Sequence, residues 1–146
     1  MNIICDLDGT IALDHKRNHF LQKNAEGHRN WDVYFDACDT DEPCFAVINL
    51  LAVYYSISKV HIFSGRSMSA SKKTLKWLDD YGVVYHYLQM RAVDDRTDDH
   101  ELKVRWADEF GLTPKNTLFV LEDRQRVVDA WRAKGFRCFQ VAAGNF

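Results

Sequence analysis

Two aspartates stand two positions apart near the start of the chain, where a short apolar run ends. Ile3-Ile4-Cys5 predicts a buried strand, and Asp6 and Asp8 follow it directly, on either side of Leu7 and ahead of Gly9. A carboxylate can attack phosphorus and form an aspartyl-phosphate that water later cleaves. Side chains at positions i and i+2 of a turning strand end converge on one group, whereas neighbouring side chains diverge. Because Asp and Gly are also common turn residues, this pair alone leaves a purely structural role open.

Polar residues also follow three later apolar runs, each of which predicts a strand. They are Ser64-Gly65-Arg66 after residues 59–63, Arg91, Asp95 and Arg96 after residues 83–88, and Glu122-Asp123-Arg124 after residues 117–121. In open parallel sheets ligands bind at the carboxyl ends of the strands, so these groups are expected at one edge with the two aspartates. Crowded carboxylates repel one another unless a cation lies among them, and Mg²⁺ prefers oxygen ligands. Hydroxyl, Lys and Arg donors suit the charge on a transferring phosphoryl group.

The elements that must position these side chains alternate between strands and helices. A fifth apolar run covers residues 137–141, and helical patterns cover residues 43–56, 68–81, 100–110 and 127–134. This alternation predicts an α/β fold, a three-layer Rossmann-like parallel sheet with helices on both faces, in a single domain over residues 1–146. Neither a P-loop nor a G-x-G-x-x-G fingerprint is present, so binding of ATP or a dinucleotide in the usual way is not expected.

Residues 12–42, after the first strand, are polar and irregular and are too long for an ordinary loop. Their aromatic residues predict a small packed lid rather than disorder. Trp31, Tyr34 and Phe35 could stack on exposed bases, but a role as the core of the lid is the favoured interpretation. Asp41 is a candidate contribution of the lid to the site.

Composition and charge fit one folded domain and narrow its partners. The 146 residues are 47% hydrophobic and 27% charged, as in globular proteins. The formal charge of -2 lacks the basic excess of proteins that wrap duplex nucleic acid, so any such contact should use a few arginines. The four cysteines lack C-x-x-C spacing and favour free thiols. With neither a leader nor an apolar run of membrane-spanning length, no membrane contact is expected and a cytoplasmic location is, the host cytoplasm if the chain is phage-encoded.

The run Asp6-Leu7-Asp8-Gly9-Thr10 resembles the D-x-D-G-T signature of the haloacid-dehalogenase-like (HAD) phosphatases. Later stations of that family follow in order: Ser64 after an apolar run, Lys103 ahead of the fourth strand, and the acidic pair Glu122-Asp123 after it. Lys72 and Lys73 are alternative candidates for the lysine of that family's third motif, but Lys103, ahead of the acidic pair, has the better position. The resemblance covers nearly the whole chain and implies a HAD-like fold.

The roles implied by this resemblance describe a magnesium-dependent phosphomonoesterase. Asp6 would attack phosphorus, and Asp8 would protonate the leaving oxygen and then activate water. Ser64 and Lys103 would hold the phosphate, with Thr10 and Gly65 as further substrate contacts. Mg²⁺ would be held by Asp6, by the backbone carbonyl of Asp8 and by the acidic pair, Glu122 and Asp123.

A narrower resemblance is to the 3'-phosphatase half of phage polynucleotide kinase/phosphatase. It is carried by Cys38–Asp41, Ser64–Arg66, Gln89–Arg91, Asp95-Arg96, Glu122–Arg124, Val127-Val128, Trp131-Arg132 and Gln140–Phe146. It implies removal of 3'-phosphates from DNA or RNA ends, with Arg66, Arg91 and Arg124 at the scissile phosphate or the neighbouring backbone. Arg91 and Arg96 could equally be structural, pairing with aspartates among residues 94–99.

Two departures from that pattern limit what it implies. The chain shows no kinase half, so a stand-alone phosphatase that works beside a separate kinase or ligase is expected. The acidic pair is Glu-Asp where two aspartates are usual, and Asp123 is favoured as the direct ligand. Two alternatives stay open: a nucleotidase or general small-molecule phosphatase, and a catalytically silent module that binds phosphorylated ends. Nothing in the sequence separates DNA from RNA.

Overall fold

The chain alternates strands and helices in a computed structural model that describes residues 1–145; Phe146, the last residue of the closing run quoted above, lies outside the described residues. The strands are β1 (Asn2–Cys5), β2 (Ala12–Leu13), β3 (Glu42–Pro43), β4 (Lys59–Ser67), β5 (Tyr87–Arg91), β6 (Thr117–Glu122) and β7 (Cys138–Gln140). The α-helices are α1 (Trp31–Asp36), α2 (Phe45–Tyr54), α3 (Ser71–Asp80), α4 (Asp99–Glu109) and α5 (Gln125–Ala133). Short 3-10 turns cover Asn18–Leu21, Ala37–Thr40 and Met68–Ala70. Within residues 1–145 no helix has the length and apolar character needed to cross a bilayer.

Five of the strands form one parallel sheet in the order β5-β4-β1-β6-β7. β1 lies in the centre, where Ile3 pairs with Val60 of β4 and with Phe119 of β6. A strand covered on both faces needs a continuous apolar run, which Ile3-Ile4-Cys5 supplies. The parallel arrangement places the carboxyl ends of β1, β4, β5 and β6 at one edge. The predicted α/β fold is therefore confirmed.

Alternate residues of the central strand bury their side chains in two separate cores. Ile3 packs on one face of the sheet with residues of α2 and α3, among them Leu51. Ile4 packs on the other face with residues of α4 and α5. Three tryptophans that lie on helices are buried in these cores: Trp77, Trp106 and Trp131. The three-layer arrangement follows from this division.

Residues 12–43 form an insertion between β1 and α2, here called the cap segment. Its two ends meet where β2 and β3 pair antiparallel, with Ala12 opposite Pro43. Inside it, Tyr34, Phe35 and Cys38 bury their side chains in a small cluster with Ala70. Tyr34 and Phe35 therefore pack as the sequence predicted, but Trp31 is 38% exposed and lies outside this cluster. Closure of the cap segment over a ligand stays a prediction.

Two predicted strand boundaries are wrong. The third strand was expected at residues 83–88 but spans Tyr87–Arg91, because the chain after Gly82 stays irregular until His86 donates its backbone N–H to Val60. The second strand was expected to end at residue 63 but continues to Ser67, with a shift of register between Ser64 and Ser67. Ser64, Gly65 and Arg66 therefore lie within β4 and not after it.

Candidate active site

A cavity of about 460 Å³ opens at the carboxyl edge of the sheet, beside the cap segment. Its walls include eight residues that the sequence predicted for the site: Asp6, Asp8, Gly65, Arg91, Lys103, Glu122, Asp123 and Arg124. The cap segment adds Asp14, Trp31, Asp32, Tyr34 and Phe35, and the loop after β5 adds Val93 and residues 95–98. The groups that four separate strands deliver thus meet in one place, as the parallel topology predicted.

Lys103, from α4, joins the carboxylates at the floor of this cavity. Its Nζ donates to Asp6 Oδ1 at 2.5 Å and to Glu122 Oε2 at 2.8 Å. Asp99 Oδ2, one helical turn earlier, lies 3.3 Å from the same Nζ. Thr10 donates its hydroxyl to the other oxygen of Asp6 at 3.3 Å. Asp6 is therefore held by two side chains that leave it on the cavity wall.

Three carboxylates at this floor form a set that fits a divalent cation. Asp6, Glu122 and Asp123 each offer an oxygen, and these oxygens lie within 4.8 Å of one another. Burial and then Glu122 raise the pKa of Asp6, and burial raises the pKa of Glu122 and that of Asp123 to about 7 each. One ammonium group does not neutralise so much buried acid, whereas hard oxygen ligands at this spacing suit Mg²⁺.

Gly9 allows the acidic pair after β6 to reach the aspartates after β1. Its φ of 82° lies in the left-handed region, and a Cβ at this position would overlap the carboxylate of Asp123. The glycine in the D-x-D-G-T run is therefore required both by the turn and by the close approach of a proposed metal ligand.

Two buried arginines hold Asp8. Arg66 donates from Nε to both carboxylate oxygens, at 2.9 and 3.1 Å, and from Nη2 to Oδ1 at 2.7 Å. Arg17 also donates to Oδ1 from its Nη2. Burial by itself would raise the pKa of Asp8, but the two guanidinium groups lower it to about 2. The carboxylate is ionised and fixed in direction, as a group that accepts a proton from water must be.

Arg17 and Asp41 complete this cluster from the cap segment. Arg17 donates to Asp41 Oδ1 at 2.7 Å and to Oδ2 at 2.6 Å, and neither side chain has exposed surface. Arg66 also donates to Asp41 Oδ2, at 3.1 Å. Sequence reasoning proposed Asp41 but missed Arg17, since nothing in a polar segment shows which of its charges is buried.

Arg66 and Thr10, two predicted substrate contacts, are both buried. Arg66 is fully buried, and besides Asp8 and Asp41 it donates to the hydroxyl of Thr74 at 3.0 Å. Thr10 is 1% exposed and is turned towards Asp6. Neither residue lines the cavity, and the substrate contacts predicted for them stay predictions.

Ser64 is also fully buried, and its Oγ accepts the backbone N–H of Arg66 at 3.2 Å. Its predicted contact with a phosphate stays a prediction. Arg91 lines the cavity, as a substrate contact would, and its contact with the substrate stays a prediction. It is also paired, as a structural residue would be: it lies 3.5 Å from Asp99 and donates to the backbone oxygens of Gly65 and Thr97. Arg124 lines the cavity with its Nη1 3.9 Å from Asp99.

Solved structures of hydrolases share this fold. The HAD family enzyme BT-2542 of Bacteroides thetaiotaomicron, in complex with magnesium and inorganic phosphate, matches at 14% identity with a TM-score of 0.61, over 99% of this chain and 96% of that one. The haloacid dehalogenase-like protein SP0104 of Streptococcus pneumoniae matches at 13% identity with a TM-score of 0.66, over 95% of this chain and 83% of that one. Identities this low show the fold alone. This chain therefore shares the fold of these two hydrolases.

Closer relatives identify the family. Residues 1–146 match the family described as the polynucleotide kinase PNKP phosphatase domain, and the chain belongs to it. A protein of Autographa californica nuclear polyhedrosis virus, whose name describes a bifunctional polynucleotide kinase/RNA ligase, is 29% identical over 133 residues, which are 89% of this chain and 17% of the relative. Chains of a Pnkp1/Rnl/Hen1 RNA repair complex and of a second Pnkp1/Rnl/Hen1 complex match at 30% and 32% identity, each with a TM-score of 0.82 over 99% of this chain.

This chain spans less than half the length of those relatives. It covers 43% and 46% of the two solved chains and a smaller share of the viral protein. The recognition made from the sequence is confirmed at the level of the family.

Proposed function

We propose that this domain removes the terminal 3'-phosphate from DNA or RNA ends through an aspartyl-phosphate on Asp6, with Mg²⁺ as cofactor. The observation that carries the proposal is the floor of the cavity, where Asp6, Lys103 and the acidic pair meet beside Asp8. Membership of the polynucleotide kinase PNKP phosphatase domain family supports the same chemistry.

Asp6, Glu122 and Asp123 would hold the Mg²⁺ together with the backbone carbonyl of Asp8. The fit rests on the spacing of their oxygens and on the excess of buried acid around Lys103. When bound, the ion would offset negative charge on the phosphate and orient it towards the nucleophile.

In the first half of the reaction an oxygen of Asp6 attacks phosphorus and the bond to the leaving oxygen breaks. Asp8 is ionised in the free site, so it first takes up a proton from water as the phosphate binds, and then passes that proton to the leaving oxygen. In the second half, water attacks the phosphorus of the aspartyl-phosphate, Asp8 takes its proton, and the bond to Asp6 breaks to free phosphate. Lys103 Nζ lies 2.5 Å from Asp6 Oδ1. Its positive charge offsets negative charge beside the attacking and the leaving oxygen in both halves of the reaction.

A nucleic-acid end is the proposed substrate because the relatives combine this domain with repair activities. The viral relative is named for a polynucleotide kinase and an RNA ligase, and two solved relatives are chains of Pnkp1/Rnl/Hen1 complexes. A kinase or ligase that acts on the same ends is accordingly the proposed functional partner.

The decisive measurement is phosphate release from two oligonucleotides that differ only in carrying the phosphate at the 3' or the 5' end. Release from the 3' end alone, abolished by EDTA and by Asp6→Asn, is the expected result. Lys72→Ala is the matched control for Lys103→Ala, because Lys72 lies on α3 and not on the cavity wall, and only Lys103→Ala should lose activity. Equal release from both ends, or faster release from a mononucleotide, would leave a broad phosphatase in place of an end-repair enzyme. No release from any ester would leave the silent binding module.

A further inference from the structure

Trp31 differs from the other three tryptophans of the chain in its exposure and its place. It is 38% exposed and lines the cavity, whereas Trp77, Trp106 and Trp131 are at most 4% exposed within the two cores. A large aromatic side chain left in contact with water on the wall of a substrate cavity leaves apolar area for a ligand to cover.

The ring of Trp31 is held in one orientation by its neighbours. It stacks on Phe35, with centroids 5.7 Å apart at 27°, and meets Tyr34 edge-on at 5.8 Å and 87°. Tyr34 is fixed in turn, because its hydroxyl donates to Asp14 at 2.5 Å and the guanidinium of Arg17 lies 4.0 Å from its ring centroid. A preorganised aromatic face binds a flat partner with little loss of side-chain freedom.

The charges on the cavity walls favour an uncharged contact with a nucleic-acid substrate. Acidic side chains outnumber basic ones among the lining residues, so attraction for a polyanion is weak away from the floor. Base stacking on an aromatic side chain needs no charge and tolerates any sequence. Val93, which is 64% exposed on the loop after β5, adds a second apolar contact to the same cavity.

We propose that Trp31 stacks on the base of the 3'-terminal nucleotide while the 3'-phosphate of that nucleotide lies at Asp6. Trp31 is then a specificity-determining residue that selects nucleoside 3'-phosphates over phosphate esters without a base. This inference rests on the proposed function and names the part of the substrate that the cap segment recognises. It also gives the cap segment a role that does not depend on closure.

The kinetic test compares two 3'-phosphorylated oligonucleotides that are identical except that one ends in an abasic nucleotide. The measured quantity is the preference, the ratio of kcat/KM for the two substrates. Trp31→Ala should lower this preference by about 5- to 150-fold, the range for loss of one base–aromatic stack, mainly through KM. Trp31→Phe should keep most of it. Tyr81→Ala is the matched control, because Tyr81 has the same 38% exposure but does not line the cavity, and it should leave the preference unchanged.

A binding measurement provides a readout independent of turnover. In the Asp6→Asn variant, acrylamide should quench mainly Trp31, since the other tryptophans are buried. The 3'-phosphorylated oligonucleotide should protect that fluorescence, whereas its abasic counterpart should not. Adding Trp31→Phe should remove the protected signal.

The outcomes separate this inference from the proposed function. If the wild-type enzyme hydrolyses 3'-phosphates and Trp31→Ala keeps its preference, the stacking role is refuted and the proposed function stands. If the wild-type enzyme releases no phosphate but the base still protects Trp31, the stacking role stands and the proposed hydrolysis fails. Protection by the abasic oligonucleotide as strong as by the complete one would refute stacking.

Discussion

Replacing Arg17 by alanine removes a buried cation that two carboxylates share. Arg17 has no exposed side-chain surface and donates twice to Asp41 and once to Asp8. We expect Arg17→Ala to lower the free energy of unfolding by about 3–5 kcal/mol, the usual cost of leaving buried charge without its partner. For a domain of this length that loss corresponds to a fall in Tm of roughly 10 °C.

A double-mutant cycle isolates the pair from the rest of the cluster. Asp41→Ala should be costly by itself, because it leaves the guanidinium of Arg17 with only part of its acceptors. In the double variant both charges are gone, and Asp8 keeps Arg66. The double variant should therefore be more stable than the sum of the single losses predicts, by about 2 kcal/mol.

Urea unfolding followed by far-ultraviolet circular dichroism at pH 7 measures all four members of the cycle. The control is Lys76→Ala. Lys76 forms an ion pair of similar length with Asp80, but this pair lies in solvent on α3, so its loss should change stability very little. Strictly additive losses would refute mutual neutralisation of Arg17 and Asp41. A loss for Arg17→Ala no larger than that for Lys76→Ala would refute the argument from burial.

Three further predictions follow from particular side chains. Gly9→Ala should abolish phosphatase activity. Gly27 has a matching φ of 81° but open space around it, so Gly27→Ala should cost some stability and leave activity intact. Phosphate release measures the activity of each variant, and urea midpoints measure its stability. His61 is buried, so its pKa falls to about 4, below the unfolded value near 6.5. The unfolded chain therefore binds more protons than the folded chain between pH 4 and 6.5. As pH falls through that window, the stability of the wild type relative to His61→Phe should decrease by about 2–3 kcal/mol. Urea unfolding at pH 4.5 and 7.5 measures this difference. Arg96 is exposed on the cavity wall and has no ion pair within residues 1–145. Arg96→Ala should therefore raise KM for a 3'-phosphorylated oligonucleotide more than KM for a 3'-mononucleotide. This difference between the two increases in KM should shrink as salt is added.

The three carboxylates proposed to hold the metal could be predicted because each ends or follows an apolar strand. Asp6 and the acidic pair follow strands that the sequence shows clearly, and the topology of a parallel sheet brings those ends together. Lys103 required the resemblance as well, since a lysine on a helix gives no sign of pointing inwards.

The arrangement around Asp8 could not be predicted, because it depends on contacts between distant parts of the chain. Arg17 meets Asp41 across 24 positions, and Arg66 meets Asp8 across 58. No periodicity in the sequence couples such pairs. The burial of Arg66 and Thr10 could not be predicted for a related reason: a strand with a shift of register and a tight turn give no sign in the sequence of which side chains face the cavity.

The central place of β1 has a consequence for synthesis on the ribosome. β1 leaves the exit tunnel before both of the strands that it pairs with, β4 and β6, and the lysine that contacts Asp6 comes 97 positions after that aspartate. Until β6 has emerged, an apolar strand has one open edge, which is the state in which nascent chains associate with one another. We expect a chain released before Glu122 to be inactive, because it contains Asp6 and Lys103 but lacks the acidic pair that is proposed to complete the site.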